Sequence, residues 1–320
     1  MGQEYMAHTK PLNIVVTGGM GYIGSILTEL LLENHYHVEV IDTNQFNQSE
    51  QKGVSYHYLD LTSEFEKAIS VLKTANVIVH LAAVVGEPAC QKQPQKAFDI
   101  NYIVTKKLAE FCKSHSIKLI FASTCSLYGN QEGILTEESP VRPIDFYGFT
   151  KQFAEKEVIN NNPELNVALR MGSNYGVSKR QRFDLVLNKF TAQATNKESI
   201  TVYGGKQKRP FIHVRDAARV FLWAIEKNLS GIYNVPHINM SISEGANEIA
   251  KLLNAPVSII EQEDDQRNYQ VSSEKILNTG FSFNGEFNES IKELSADIMT
   301  HNVDYRDSVY YNDRVLHPAH

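Results

Sequence analysis

A tyrosine and a lysine four positions apart, Tyr147 and Lys151 in RPIDFYGFTK, could work as a proton-transfer pair. On a helix that spacing stacks phenol and ammonium on one face. A phenol of pKa roughly 10 is a poor base at neutral pH, and a nearby positive charge would move it toward the working range. The spacing alone does not single this pair out, because Tyr102/Lys106 and Tyr175/Lys179 repeat it. Context separates the three. Tyr102/Lys106 lies inside INYIVTKKLAEFC, whose helical period predicts packing. Tyr175/Lys179 lies in a loop after a strand, where four residues do not bring side chains together. Tyr147/Lys151 opens a helix, YGFTKQFAEKEVI, and the strand before it, KLIFAST, ends at Thr124. Ligands of parallel α/β sheets bind beyond the carboxyl ends of the strands, so this hydroxyl and this pair are expected at one site.

A second constellation stands near the start. TGGMGYIG carries Gly18, Gly21 and Gly24 between an apolar run and a helical pattern, with one residue more in the first gap than the usual dinucleotide fingerprint. A Cβ at the first two glycines would block the turn and the approach of backbone N–H groups to a pyrophosphate, while Gly24 lets the helix close on the sheet. Asp42 ends the second strand, 18 residues beyond Gly24, and no lysine or arginine follows before Lys52. A carboxylate there accepts from ribose hydroxyls and repels a 2′-phosphate, which favours NAD over NADP. Asp60, ending the third strand, suits the adenine amino group or, equally, the start of a helix.

The elements that must position these groups follow from periodicity. Apolar runs at 12–19, 37–42, 54–61, 76–83, 118–124 and 166–172 read as strands separated by helical stretches. That pattern predicts right-handed βαβ units, hence a Rossmann-type doubly wound parallel sheet of the α/β class. Beyond Tyr175 loops lengthen and strands such as SITVYG and GIYNVP become isolated; Ser241 and Glu244 form a capping box ahead of a helix. The reading is a nucleotide-binding domain over 11–175, to which part of 211–236 returns, a smaller substrate-binding domain over 176–210 and 237–300, and a loose or partner-covering tail over 301–320.

Bulk properties exclude several classes. A formal net charge of −6 over 320 residues argues against nucleic acid as partner. Three cysteines, Cys90, Cys112 and Cys125, show neither zinc nor disulfide spacing, which suits reduced thiols in the cytoplasm. No apolar run reaches about 18 residues, so no membrane span is expected. His213 and Asp216 in HVRD begin a helical run, where Asp216 caps better than it ligates, and no metal site is predicted.

Taken in order, TGGMGYIG, Asp42, Asp60-Leu61, HLAA at 80–83, Asn101, STCSLYG at 123–129, Tyr147xxxLys151, LRMGSNYG at 169–176 and RPFIHVRD at 209–216 resemble the extended short-chain dehydrogenase/reductases. The resemblance is to their nucleotide-sugar epimerase/dehydratase group and covers about residues 11 to 295. It implies NAD held by Gly18, Gly21, Tyr22, Ile23, Gly24, Asp42, Asp60, Leu61, Leu81, Ala82, Ala83, Asn101, Tyr147 and Lys151. Tyr147 would take the proton of a sugar hydroxyl, Thr124 would hydrogen-bond that hydroxyl, and Lys151 would hold the nicotinamide ribose. Substrate contacts would fall to Val85, Thr124, Ser126, Ser173, Asn174, Arg182, Arg209 and Arg267.

Departures from the family pattern carry information. The Asp-Glu pair that 4,6-dehydratases place after the catalytic threonine is Cys125-Ser126, which argues against dehydration. A family asparagine is Ser173, with Asn174 beside it; a family arginine is Gln262, with Arg267 five residues on as a replacement. Arg180 and Arg182 suit either phosphate or a solvated turn, and Cys90 suits a pocket wall better than a nucleophile. The compact 179–190 loop resembles a subgroup acting on nucleotide-activated hexoses or heptoses in surface-polysaccharide synthesis. The expectation is an NAD-dependent enzyme oxidising one ring hydroxyl, C4, as epimerase or 4-dehydrogenase, and a homodimer through paired helices. Two alternatives stay open: reduction of a non-nucleotide carbonyl compound, and a catalytically idle NAD-binding protein.

Overall fold

The computed structural model describes residues 11–261 and 265–313, so Gln262 lies outside the described residues. In chain order, β1 (Asn13–Thr17), α1 (Gly24–Glu33), β2 (His37–Asp42), β3 (Val54–Tyr58), α2 (Phe65–Leu72) and β4 (Val77–His80) follow the predicted apolar runs, except that a loop over 43–53, and not the expected helix, joins β2 to β3. Next come α3 (Glu87–Lys92), α4 (Pro94–Phe98), a π-type turn at Asp99–Val104, α5 (Thr105–His115) and β5 (Lys118–Thr124). Then follow β6 (Asn130–Leu135), α6 (Phe146–Asn161), β7 (Val167–Met171), β8 (Ser173–Tyr175), α7 (Val186–Thr195), β9 (Ile200–Tyr203) and β10 (Lys208–His213). The rest is α8 (Val214–Glu226), β11 (Gly231–Val235), β12 (Ile238–Ser241), α9 (Ile242–Leu253), β13 (Val257–Ile260), β14 (Asn268–Val271), α10 (Glu274–Leu277) and α11 (Phe287–Thr300).

Seven strands form one parallel sheet in the order β11-β7-β5-β4-β1-β2-β3. Neighbouring residues within a strand serve opposite faces, and both faces are apolar. Val16, Val40 and Val79 pack under α1 and α8, while Val15, Ile41 and Ile78 pack under α2, α5 and α6. The chain leaves β1 toward β2 on one side and enters β4 on the other. A topological switch, with its crevice at the strands' carboxyl ends, therefore lies between β1 and β4. The register Thr17↔His80 brings Gly18 opposite Leu81 at that crevice.

Smaller sheets, β12-β10-β8 and β13-β9, pack with α7 and α9 around Phe190, Val202, Phe211 and Ile249. The Ser241 hydroxyl accepts from the Glu244 N–H at 3.1 Å, and the Glu244 carboxylate accepts from the Ser241 N–H at 2.6 Å. The expectation of a loose tail is corrected for its described part. Tyr305 is buried against Phe183, and the Phe183 N–H donates to the Tyr310 carbonyl at 3.1 Å. A tyrosine-rich segment with no helical period still has aromatic area to bury, and here it does so with a single 3-10 turn, Ser308–Tyr310, as its regular structure.

Candidate active site

Glycine chemistry fixes one end of the site. Gly18 has φ +75, and a Cβ there would lie 2.7 Å from the Ala82 nitrogen. A Cβ on Gly24 would lie 2.3 Å from the Gly18 carbonyl oxygen, so α1 can start this close to β1 only with glycine. A Cβ on Gly21 would meet only that same carbonyl, at 3.1 Å, because its outer side opens on the cleft. Asp42 is tied to this loop: its carboxylate accepts from the Met20 N–H at 3.0 Å and from the Asn44 N–H at 2.8 Å. Asp60 accepts from both the N–H and the hydroxyl of Thr62 in a turn ahead of α2, whose N-cap is Glu64, so it does not start that helix, and it lines the cleft. Tyr22 lines the cleft too, but its hydroxyl serves the fold, donating to the Gly176 carbonyl at 2.6 Å and accepting from Asn188 at 3.0 Å.

From this loop one cleft of about 720 Å³ runs along the carboxyl ends of the strands. Gly18, Gly21, Tyr22, Ile23, Gly24, Asp42, Asp60, Leu61, Leu81, Ala82 and Ala83 line one part of it. Val85, Thr124, Ser126, Tyr147, Lys151, Ser173, Asn174, Arg182, Arg209 and Arg267 line the remainder. Asn101, expected with the cofactor residues, is the one of them that does not line the cleft. It is fully buried behind the wall, where its carbonyl accepts from the Val84 N–H at 2.9 Å. Its amide donates to the Val84 carbonyl at 3.0 Å and to the Thr150 hydroxyl at 3.1 Å. An amide bonded by the protein in this way holds the loop after β4 against α6.

Helix α6 presents the proton-transfer pair. Asp145 caps it, accepting from the Gly148 N–H at 2.7 Å, and Glu87 accepts from the Tyr147 N–H at 2.8 Å. Tyr147, Lys151 and Glu155 are spaced by four and share the face toward β5. Glu155 meets Arg170 of β7 in a pair 2.7 Å long, with side chains only 6% and 3% exposed, and accepts from the Ser123 hydroxyl at 2.6 Å. That buried pair fixes the helix's rotation beside Thr124. The Thr124 hydroxyl accepts from the Ser126 N–H at 3.1 Å, which leaves its own hydrogen to donate into the cleft. The competing pairs do not form sites. Tyr175 is fully buried in a cluster with Leu187, Phe190 and Phe211 and Lys179 pairs with Glu29 at 3.7 Å, while Tyr102 packs against Phe98 and Phe153.

The electrostatics correct one expectation. Burial pushes the Tyr147 phenol up rather than down, with only the Thr124 hydroxyl and the Arg182 charge opposing it. Burial also pushes Lys151 down to about 7, against the opposing pull of Cys90 and Glu155. Its ammonium lies 4.0 Å from the centre of the Phe121 ring. Desolvation penalises both charged forms, and at the phenol the Arg182 guanidinium brings too little positive charge to offset it. A cationic ring in the cleft would supply more. The dinucleotide therefore fits on two counts, a glycine cradle that side chains would fill and a phenol that needs a cation.

A stability prediction follows. The folded chain holds the Lys151 proton less tightly than the unfolded chain does, so the burial penalty is complete below pH 7 and fades as pH rises toward roughly 10.5. Lys151→Met is therefore expected to unfold at higher temperature than the unaltered chain at pH 6, with the gap closing by pH 10. Thermal unfolding of both proteins across that range checks it, and a constant or reversed gap would contradict the burial argument.

Two arginines of the cleft converge on one carboxylate. Arg209 approaches Asp265 at 3.0 Å, and Arg267 reaches Asp265 and, at 3.2 Å, Asp145. Burial pushes Asp265 up, but the hydrogen bonds and charge of Arg267, then Arg209, outweigh it and hold the carboxyl at about 2. Two guanidiniums brought together at a cleft suit a diphosphate. Arg182 is committed to Asp184 through two hydrogen bonds of 3.0 and 2.7 Å. Arg180 is buried over the Phe46 ring, so neither arginine belongs to a solvated turn. Asn174 leaves its buried carbonyl oxygen without a partner among the described residues. Cys90 and Cys125 are buried thiols pushed up by desolvation, Cys90 to about 12, and neither lines the cleft. Sequence reasoning missed Tyr269, whose hydroxyl lies 3.4 Å from that of Ser126, as well as Asp265 and the helix-capping role of Glu87. Only Glu87 left a trace, as an acid before Pro88 at a helix start.

The NAD dependent epimerase/dehydratase family model matches residues 14–236. A Bacillus subtilis (strain 168) protein described as an uncharacterized UDP-glucose epimerase, YtcB, is 30% identical over 273 residues, covering 78% of this chain and 81% of that one. Among solved structures, the UDP-glucose 4-epimerase of Thermus thermophilus, in complex with NAD, superposes with a TM-score of 0.80 at 25% identity, covering 91% of this chain and 100% of that one. The UDP-N-acetylglucosamine 4-epimerase of Methanobrevibacter ruminantium M1, in complex with UDP-N-acetylmuramic acid, gives 0.81 at 26%, covering 92% and 100%.

Proposed function

The chain belongs to the NAD-dependent epimerase/dehydratase family, and from that premise we propose that it is an NAD-dependent oxidoreductase that epimerises a nucleotide-activated sugar at C4. One observation carries the reading: Thr124, Tyr147 and Lys151 line a single cleft together with the glycine cradle and an arginine pair. Gly18, Gly21, Gly24 and Asp42 would hold NAD, which when bound supplies a hydride acceptor for the carbon bearing the reacting hydroxyl and a donor for its return. Thr124 donates to the sugar oxygen and orients it. Tyr147 takes the hydroxyl proton and gives it back when the ketone is reduced on its other face. Lys151 contributes charge beside the phenol and holds the nicotinamide ribose, and Arg209 and Arg267 bind the diphosphate, displacing Asp265.

Dehydration is disfavoured because Cys125 turns its thiol to the Arg170 carbonyl at 3.2 Å and only the hydroxyl of Ser126 faces the cleft. The domain assignment is 11–175, with part of 211–236 returning to it, for the cofactor, and 176–210 with 237–300 for the substrate. Further assignments are a homodimer through α5 and α6, where Phe149 and Phe153 are exposed, and a cytoplasmic location that suits three unpaired cysteines. A role in surface-polysaccharide synthesis rests on the compact 179–190 loop. Among the described residues no helix is long and apolar enough to cross a membrane.

The test is a panel of UDP-, GDP-, dTDP- and CDP-sugars incubated with enzyme and NAD, read by mass spectrometry and NMR. A product of unchanged mass inverted at C4 is expected, and loss of water would overturn the argument. Arg209→Ala is expected to raise KM for the nucleotide sugar roughly 10- to 100-fold, as loss of a charge-assisted bond to phosphate does. An unchanged KM would favour a carbonyl substrate that lacks a nucleotide.

A further inference from the structure

We propose that the C-terminal segment forms an additional wall of the dinucleotide cleft and sets how long the cofactor stays bound; this rests on the NAD reading above and deepens it. The segment is anchored on the smaller domain. Tyr305 and Tyr310 pack edge-on against Phe183 with ring centres 6.1 and 5.2 Å away, and Arg306 pairs with Glu198 at 2.6 Å. Immediately beyond this anchor, Tyr311, Asn312 and Asp313 line the cleft.

Asn312 and Asp313 reach opposite lips. The Asn312 side-chain carbonyl accepts from Arg180 at 2.9 Å. The Arg180 guanidinium in turn lies 3.7 Å over Phe46, in the loop that follows β2. Asp313 pairs at 2.6 Å with Lys92, the last residue of α3, in the segment that follows β4. The switch crevice lies between the β2 and β4 sides of the sheet, so a segment joined to both loops bridges it. A bound dinucleotide would leave only after one of these contacts opens.

The consequence separates the two outcomes that the catalytic residues alone leave equal. Epimerisation returns to carbon and oxygen the hydride and proton it removed, so it needs no outside oxidant and gains from a cofactor that stays. Net dehydrogenation must exchange the cofactor in every turnover and loses by the same contacts. The tail therefore favours epimerisation.

The test reads cofactor release, independent of turnover. The protein is loaded with NADH and chased with excess NAD, and the fluorescence decay gives the release rate. Lys92 and Asp313 are 51% and 31% exposed, so the pair is partly screened. Lys92→Asp and Asp313→Lys, which turn its attraction into repulsion, are each expected to speed release about three- to tenfold. The double exchange should return the rate to within about twofold of the original. Asn312→Ala should also release faster. Unaltered rates in the single variants, or no recovery in the double, would overturn the proposal. Failure of the unaltered chain to bind NADH at equilibrium would refute the cofactor reading first, and this inference with it.

Discussion

Tyr147→Phe is expected to lower turnover about a thousandfold, in the usual range for loss of a positioned acid-base group, while NADH still binds. The argument is geometric. The ring is held by Ala97, Cys90 and Phe146, none of which needs the hydroxyl, so phenylalanine keeps the packing and the helix start. What disappears is the oxygen that shares the cleft with Thr124. The pKa shifts sharpen the expectation, because burial pushes the phenol up in the cofactor-free chain and a cation in the cleft must bring it down. A rise of phenolate absorbance on adding NAD, absent in Tyr147→Phe, is the accompanying signature. Near-normal turnover in the variant would remove Tyr147 from the chemistry.

Glu155→Ala should be the most destabilising single change near the site, costing about 3–5 kcal/mol as removal of one partner from a buried ion pair does. Arg170 would be left with its guanidinium buried and its three charge-assisted bonds to Glu155 lost. Ser123, next to Thr124, would lose the acceptor for its hydroxyl. Chemical denaturation monitored by tryptophan fluorescence and far-UV circular dichroism measures the loss. Adding Arg170→Met to Glu155→Ala should recover most of it, because the second change removes the stranded charge. A loss of under about 1 kcal/mol would show that the pair does not fix α6.

Much of this was legible in the sequence where one physical demand selects one residue type. Gly18 and Gly24 announce a backbone too close for a Cβ, and Asp42 announces a strand end beside them. The strands of the parallel sheet read as apolar runs because both faces are buried, and the Ser241–Glu244 box marked its helix. The mechanism's residues could be placed only after the three Tyr/Lys pairs were separated by their surroundings.

What stayed hidden depends on partners distant in sequence. The place of Asn101 behind the cleft wall is set by its contacts with Val84 and Thr150. The sign of the Tyr147 shift depends on burial, which outweighs the Thr124 hydroxyl and the Arg182 charge. Asp265 joins the arginine pair from a loop, and the tail docks through irregular aromatic contacts with Phe183, so neither leaves a periodic signal.

The central claim is that one carbon of a bound sugar loses and regains its hydrogen within a single cleft. A nucleotide sugar carrying deuterium at C4 tests it most directly. The account predicts a C4 epimer that keeps the deuterium at C4 and leaves no net NADH. Deuterium found in released NADH, or a product lighter by one water, would contradict it.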